Sequence, residues 1–507
     1  MRGKSSWLRV IVGFGLLFAA YAATRLTNLT SLPIFTDEAI YIRWSQIGAQ
    51  DAAWRFISLT DGKQPMFTWV MMILLRILRG SDPLFVGRVT SVIAGFGTLI
   101  GLWFLSYELF RDKKIAWLSS VIYLVLPFSA WYDRMALYDS LVATFSVWSL
   151  YVAVLLAKHI RLDTALILGF VMGAGMLNKS SGFLTLYFLP VTLLVFDWKM
   201  KSRWRRLFRW AFFVMLAALL SQVFYSILRL SPFFHIIGQK DNVFVFSLSE
   251  WFDQPFRFFA GNLRGMFDWL RSYMTVPLFF AAFASLFTRW SKTRERMLLF
   301  FWWILPFAAL ANFGKVLYPR FILFMTMPLL PLASDTLLHM LGTVRRPFIR
   351  IVLILIFFIP SLSLTSMIVF RPVMAPIPFA DRGQFIDDWP AGGGVREVVT
   401  FLRSESADHN ISVYTEGTFG LMPYALEIYL VDRSNVRITG LWPIPPVMPE
   451  AIAQDATQVP TFFVMNARQE APLGWPLTLI GEYKKGNSPQ DTKLRLYRVR
   501  VPSTVAL

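Results

Sequence analysis

Residues 84–110 read LFVGRVTSVIAGFGTLIGLWFLSYELF, with charge confined to Arg88 near one end and Glu108 near the other. A stretch this long and this apolar exceeds the ~20 residues that a helix needs to cross a bilayer. Working outward, comparable apolar runs occupy 7–26, 115–131, 140–157, 164–177, 182–196, 210–230, 272–287, 297–311, 321–341 and 351–370. The pattern predicts a polytopic α-helical membrane protein with about eleven transmembrane helices. Composition agrees: the 507 residues are 56% hydrophobic and 16% aromatic, with a mean hydropathy of +0.52, too apolar for soluble domains in series. The net charge of +19 would suggest nucleic acid for a soluble chain. Here Lys and Arg sit between apolar runs, so the charge is read as membrane orientation and no nucleic-acid partner is expected. The absence of cysteine excludes disulfides, thiolate catalysis, iron–sulfur clusters and cysteine zinc sites.

Short cytoplasmic loops collect Lys and Arg. The clusters Arg2/Lys4/Arg9, Arg111/Lys113/Lys114, Lys158/Arg161, 199–209, 289–296 and Arg345/Arg346/Arg350 all fall on one side if the helices alternate. This predicts a multi-pass plasma-membrane protein with a cytoplasmic N-terminus and an extracytoplasmic C-terminus. The N-terminal run continues to Ala23 with no Ala-x-Ala-like site after a short apolar core, which favours an uncleaved helix over a signal peptide. The apolar segment 65–78, at roughly fourteen residues, is short for a span and reads as an interfacial helix, as does the mixed segment 37–50. Residues 1–370 then form the transmembrane domain, with a long first outer loop at 27–83 and another outer loop at 231–271. Residues 371–507 change character: Pro372, Pro376 and Pro378 precede Trp389-Pro390-Ala391-Gly392-Gly393-Gly394 and a mixed polar sequence. A helix at 395–404 and strands at 411–415, 461–465 and 494–501 predict a small extracytoplasmic α/β domain.

Polar residues on the outer face are few. Asp37 and Glu38 follow the emergence of the first helix; adjacent carboxylates there can act as a base, bind a metal or orient a hydroxyl. A helix N-cap with its first-turn acid has the same sequence. Asp133, Arg134 and Asp139 reach the same side from another loop, either converging on a site or forming a structural clamp. Lys63, Arg88, Lys179, Lys315 and Arg320 also arrive there. A cation beside the apolar layer needs a partner; a lipid phosphate would serve, and so would snorkelling to ordinary head groups. His235 stands alone near this face, which argues against a histidine-rich zinc site.

The ordered set Asp37-Glu38-Ala39 with Tyr41, Lys63-Gln64-Pro65, Gly87-Arg88, Arg134 with Leu137-Tyr138-Asp139, Asn178-Lys179, and Lys315-Val316-Leu317-Tyr318-Pro319-Arg320-Phe321 resembles the dolichyl- or polyprenyl-phosphate-sugar glycosyltransferases. These are membrane enzymes of the GT-C type that include the protein O-mannosyltransferases and the aminoarabinose transferases of lipid A. The resemblance implies an inverting transfer of a hexose or pentose from polyprenyl phosphate to a hydroxyl of a protein, lipid or glycan. By the same resemblance Asp37, Glu38 and Asp139 are the catalytic acids. Arg134, Lys179, Arg88, Lys63, Lys315 and Arg320 attend the donor phosphate. No cofactor is required, and a divalent metal is compatible with the wider fold. Gln64 stands where the family has proline or histidine, and the tail differs from the sugar-binding module of the eukaryotic enzymes, so the acceptor does not carry over. The competing reading is a transporter or flippase of an anionic lipid or solute. Two related halves and mid-membrane charges would mark it, and neither is visible here.

Overall fold

The computed structural model describes residues 2–288, 291–468, 470–487 and 490–500, with the side chains of 2–9 and 288 outside that description. The basic side chains of Arg2, Lys4, Arg9 and Arg289, and the strand end expected at Val501, therefore lie outside the described residues. The chain divides into two compact units: Met1–Leu29, Ala53–Val70 and Arg88–Pro376 in one, Thr30–Ala52, Met71–Gly87 and Ile377–Leu507 in the other.

Among the described residues, the named elements of the first unit are all helices. Its apolar runs all fall on helical segments, and the stretch quoted above lies within helix Pro83–Phe110. Among the described residues, five helices are long and apolar enough to cross a membrane: Pro83–Phe110, Asp139–His159, Arg203–Leu230, Thr293–Phe313 and Pro347–Phe370. Counting as one span each of the pairs Phe259–Met274 with Val276–Phe287, bent by 109°, and Pro319–Thr326 with Leu329–Thr343, bent by 55°, raises the number to seven. The count of about eleven is not confirmed by these numbers: the first helix, Arg2–Leu26, is 25 residues long but is described with its side chains only from Val10 on, and Leu162–Asn178 and Ser180–Val195 are apolar but short. In the run 115–131 Pro127 forces its predecessor Leu126 out of the helical region, to ψ 122°, splitting the run into Lys113–Val125 and Pro127–Tyr132. Phe208, Phe212, Met215, Leu219 and Val223 form an exposed stripe along helix Arg203–Ser226. Ile351, Leu355, Ile359 and Leu362 do the same along Pro347–Phe370. Apolar stripes of this extent are stable against lipid and not against water, and they make the chain a multi-pass membrane protein.

Inside this unit one carboxylate ties several helices together. Asp133, with no solvent exposure, accepts hydrogen bonds from the hydroxyls of Tyr21 at 3.0 Å, Tyr123 at 3.0 Å and Ser140 at 2.9 Å, and pairs with buried Arg25 at 3.3 Å. Arg25 also donates to Ser129 Oγ at 3.0 Å. The donors come from helices Arg2–Leu26, Lys113–Val125 and Asp139–His159, so the network fixes their mutual depth. Arg296, Asp335 and Ser285 repeat the device elsewhere, at 2.9 and 3.1 Å.

The second unit contains a sheet of five strands, β1 (Ile411–Glu416), β2 (Val436–Leu441), β3 (Thr461–Met465), β4 (Leu477–Lys484) and β5 (Lys493–Val499), in the order β2-β1-β3-β5-β4. β1 lies parallel to β2 and β3, while β5 runs antiparallel to β3 and β4. The central strands β1 and β3 are buried along their whole length, as strands covered on both faces must be. Phe462 meets Phe401 of helix Val395–Glu405, and its neighbour Phe463 packs with Ile452 of helix Glu450–Gln458. The expected helix and three strands are present with ends shifted by one or two residues. β2 and β4 were not foreseen: as edge strands with half-exposed side chains they lack the apolar pattern that marks their neighbours. Helix Thr36–Gln50 of the first outer loop belongs to this unit. Arg43 pairs with Glu427 at 2.6 Å, and Gln46 donates to the carbonyl of Ile428 at 2.9 Å.

Lys485 is fully buried in this unit. Burial pushes its ammonium from 10.5 down to about 7, against the opposing pull of Glu416 and Asp388.

Two outcomes follow from these buried charges. Asp133→Ala strands the Arg25 cation and is expected to cost about 3–5 kcal/mol, read as a lowered unfolding midpoint in detergent; an unchanged midpoint would contradict the network's role. Because Lys485 binds its proton less tightly folded than unfolded, the unfolded chain holds more protons between pH 7 and 10, so stability rises with pH there. The difference between wild type and Lys485→Met should change by up to about 1.4 kcal/mol per pH unit in that window and level off below it. A flat difference would contradict the lowered affinity.

Candidate active site

Several elements of the first unit converge at residues 61–64, 138–139, 178–181, 240–244 and 318–321. Asp139 opens helix Asp139–His159, where an acid is favoured by the helix dipole. Its Oδ1 accepts from Lys179 Nζ at 2.7 Å. Lys179 is the extended residue just after helix Leu162–Asn178, and Asn178 anchors that helix end by donating to the Tyr138 carbonyl at 3.2 Å. Gln64 donates to Ser180 Oγ at 2.7 Å. Gln64 thus tethers the chain at 61–64 to the Lys179 turn. Asp241 hydrogen-bonds with Ser180 as well; burial raises its affinity for a proton, while Ser180, Lys63 and Lys179 hold it down.

The turn that presents Lys63 depends on Gly62. Its φ of +68° lies in the left-handed region, and a Cβ there would stand 2.6 Å from Lys240 Cβ and 2.7 Å from the Ile236 carbonyl oxygen. Asp61 and Lys240 close the same junction with a 2.7 Å ion pair. Lys63 then lies over the ring of Phe244 at 5.5 Å and Lys179 over that of Phe321 at 4.6 Å. The two rings meet edge to face at 5.9 Å. Arg320 adds a third cation, 5.8 Å from the Phe321 ring centre and 5.0 Å from that of Tyr318. The result is a cationic rim set on an aromatic base, with Asp139 and Asp241 as the acids beside it. Such a rim suits an anion that binds through several fixed donors.

The other sequence-selected cations of this unit have different surroundings. The Arg134 guanidinium faces the carbonyls of Thr24, Arg25, Thr27 and Asn28 at 2.7 to 3.1 Å, satisfying carbonyls that the end of helix Arg2–Leu26 leaves over. Buried Arg88 donates to the Leu29 carbonyl at 2.8 Å. Lys315 pairs with Glu250 at 2.7 Å, lies over Phe246 at 5.0 Å and bonds the Asn242 carbonyl at 3.0 Å. That lysine and the Ser247 amide lower the affinity of Glu250 for its proton to a pKa of about 2.

Asp37 and Glu38 lie in the second unit, on the first turn of helix Thr36–Gln50. Glu38 is buried and its Oε2 accepts the Phe35 amide at 3.0 Å, so it serves as the helix-starting acid. Consecutive helical side chains diverge by ~100°, and Asp37 is accordingly the half-exposed member of the pair. Among the described residues, no group of three or more His, Asp or Glu side chains is placed to hold a metal ion.

Residues 62–225 match the family model described as dolichyl-phosphate-mannose-protein mannosyltransferase, a span that contains Lys63, Arg88, Arg134, Asp139 and Lys179. The structure of ArnT from Cupriavidus metallidurans in the apo state matches over 98% of this chain and 99% of its own, with 13% identity and a TM-score of 0.58. The same protein bound to undecaprenyl phosphate matches over 97% and 98%, again with 13% identity and a TM-score of 0.58. AglB from Archaeoglobus fulgidus, an archaeal oligosaccharyltransferase in complex with an inhibitory peptide and a dolichol-phosphate, matches over 96% of this chain and 74% of that one, with 13% identity and a TM-score of 0.49. No curated protein matches the sequence. The fold is shared with that of ArnT.

Sequence reading gave no role in the site to Ser180, Phe244 or Arg25, although a lone arginine in an apolar run is itself a sign that a buried acid must answer it. Replacing Lys179 by Gln removes one charge-assisted bond worth about 1.5–3 kcal/mol. That bond is the one to Asp139, so the variant should show a lowered unfolding midpoint in detergent; an unchanged midpoint would contradict the role of the pair in holding this junction together.

Proposed function

We propose that this chain is an inverting glycosyltransferase that moves a sugar from a polyprenyl-phosphate donor to a hydroxyl of a protein, lipid or glycan on the outer face of the plasma membrane. The observation that carries this reading is the Lys63, Lys179 and Arg320 rim on the Phe244–Phe321 base. The mannosyltransferase family model and the fold shared with ArnT, one of whose structures holds undecaprenyl phosphate, support a lipid phosphate as the anion. In this proposal the N-terminus is cytoplasmic, and residues 371–507 and the rim face outward among membrane lipids.

In the reaction the acceptor oxygen bonds to the anomeric carbon while the bond from that carbon to the phosphate oxygen breaks, and the electron pair leaves on the phosphate. Fixed cations in a water-poor site stabilise that growing charge without reorganising, so no acid is needed at the leaving group. Asp37 takes the acceptor's proton; Glu38, committed to the Phe35 amide, fixes where Asp37 points. Asp139 orients Lys179. Arg134 and Arg88 shape the floor by securing the chain at 24–29, and Lys315 with Glu250 secures the outer loop. No cofactor is part of this chemistry, and a divalent ion beside the phosphate is compatible with it.

The protein reconstituted in liposomes with polyprenyl-phosphate-linked mannose, glucose or aminoarabinose should release polyprenyl phosphate with at least one of them. Asp37→Asn should slow release by about 10²-fold or more while binding the donor normally. Full activity of that variant would remove Asp37 from the mechanism, and movement of the lipid across the bilayer without release would replace the transferase by a transporter.

A further inference from the structure

We propose that Lys485 is a positioning residue for Asp37, acting through the segment 389–392, which clamps the chain immediately before that carboxylate. The proposal rests on the reading of Asp37 as the acceptor base. Its evidence lies wholly within the second unit.

The clamp is a short antiparallel pairing. Phe35 bridges Ala391. The Gly392 amide donates to the Ile34 carbonyl at 2.7 Å, and the Thr36 amide to the Pro390 carbonyl at 3.0 Å. The Thr36 hydroxyl reaches the same Pro390 oxygen at 2.9 Å. Phe35 and Phe385 close one side, ring centres 4.6 Å apart. The pairing explains the glycine at 392, where any Cβ would collide with the Ile34 carbonyl oxygen. Held extended at Phe35 with φ −98° and ψ 153°, the chain has a fixed direction as it enters the first helical turn, and the side chain of residue 37 inherits that direction.

Behind the clamp stands Lys485. Its Nζ donates to the Trp389 carbonyl at 3.0 Å and to Asn466 Oδ1, and Asn466 Nδ2 donates to the same Trp389 oxygen at 3.0 Å. Asn466 is fixed in turn by Glu416, whose carboxylate accepts the amides of Asn466 at 2.9 Å, Ala467 at 2.8 Å and Arg468 at 3.0 Å. Glu416 ends β1 and Asn466 follows β3. Hydrogen bonds therefore run from Glu416 at the end of β1 through Asn466 and Lys485 to the Trp389 carbonyl, and, one peptide bond on, from the Pro390 carbonyl to Thr36. Both acceptors of the buried ammonium are neutral oxygens. Burying a cation on such acceptors is costly, and an apolar side chain would serve folding better. Orientation of the 389–392 segment is what the lysine adds.

The test uses the full chain in detergent micelles and in liposomes. Lys485→Met, and separately Gly392→Ala, which leaves the lysine and the sheet untouched, are compared with wild type by hydrogen exchange of peptides covering 33–42. Turnover is followed with polyprenyl-phosphate mannose, glucose or aminoarabinose as probes. The expected result is faster exchange of 33–42 in both variants with protection of β1 and β3 retained, together with a kcat at least tenfold lower at unchanged donor KM. Wild-type exchange at 33–42 in Lys485→Met would overturn the clamp, and so would a loss confined to KM. If Asp37→Asn proves fully active, the assignment of Asp37 fails, and the exchange measurement still decides independently whether Lys485 holds residues 34–36 in place.

Discussion

The carboxylate of Asp133 is the interaction on which the membrane unit depends. An ionised group without solvent is tolerated only when every lone pair is answered, and here Tyr21, Tyr123, Ser140 and Arg25 answer it from three helices. Because those helices cannot slide without breaking the set, the residues on either side inherit fixed positions. Arg134, one residue on, reaches the carbonyls at the end of helix Arg2–Leu26. Asp139, at the head of the helix that also supplies Ser140, is presented to Lys179. The rim is built on that frame.

At the rim Lys63, Lys179 and Arg320 lie over the faces of Phe244 and Phe321, contacts that are worth less than a desolvated ion pair, and Lys179 also pairs with Asp139 at 2.7 Å. Asp139 and Asp241 keep the cations in place when nothing is bound. In the second unit Asp37 is a half-exposed carboxylate at the start of a helix, beside the buried Glu38 and next to the segment 389–392.

Much of this was legible in the sequence. The apolar runs announced a multi-pass helical chain, and the stretches 411–415 and 461–465 announced strands of the tail sheet. What escaped has physical causes. A proline at 127 and sharp bends at Thr275 and between Thr326 and Leu329 divide apolar runs that a hydropathy reading keeps whole. Edge strands β2 and β4 carry no apolar signal strong enough to read. In the site, charge identifies Lys63, Lys179 and Asp139, but sequence alone cannot separate an arginine that meets a ligand from one that ends a helix, as Arg134 does. Nor can it distinguish Asp37 from Glu38, whose different roles come only from their divergence on a helical turn.

The central claim is that the rim holds a polyprenyl-phosphate-linked sugar, and native mass spectrometry of the protein extracted into lipid nanodiscs tests it most directly. The account predicts a retained lipid with the mass of a polyprenyl phosphate or its glycosylated form, lost when Lys63 and Lys179 are both replaced by Ala in a protein that keeps its fold. Retention of the same lipid by the double variant, or a wild type that retains only bulk phospholipid, would contradict it.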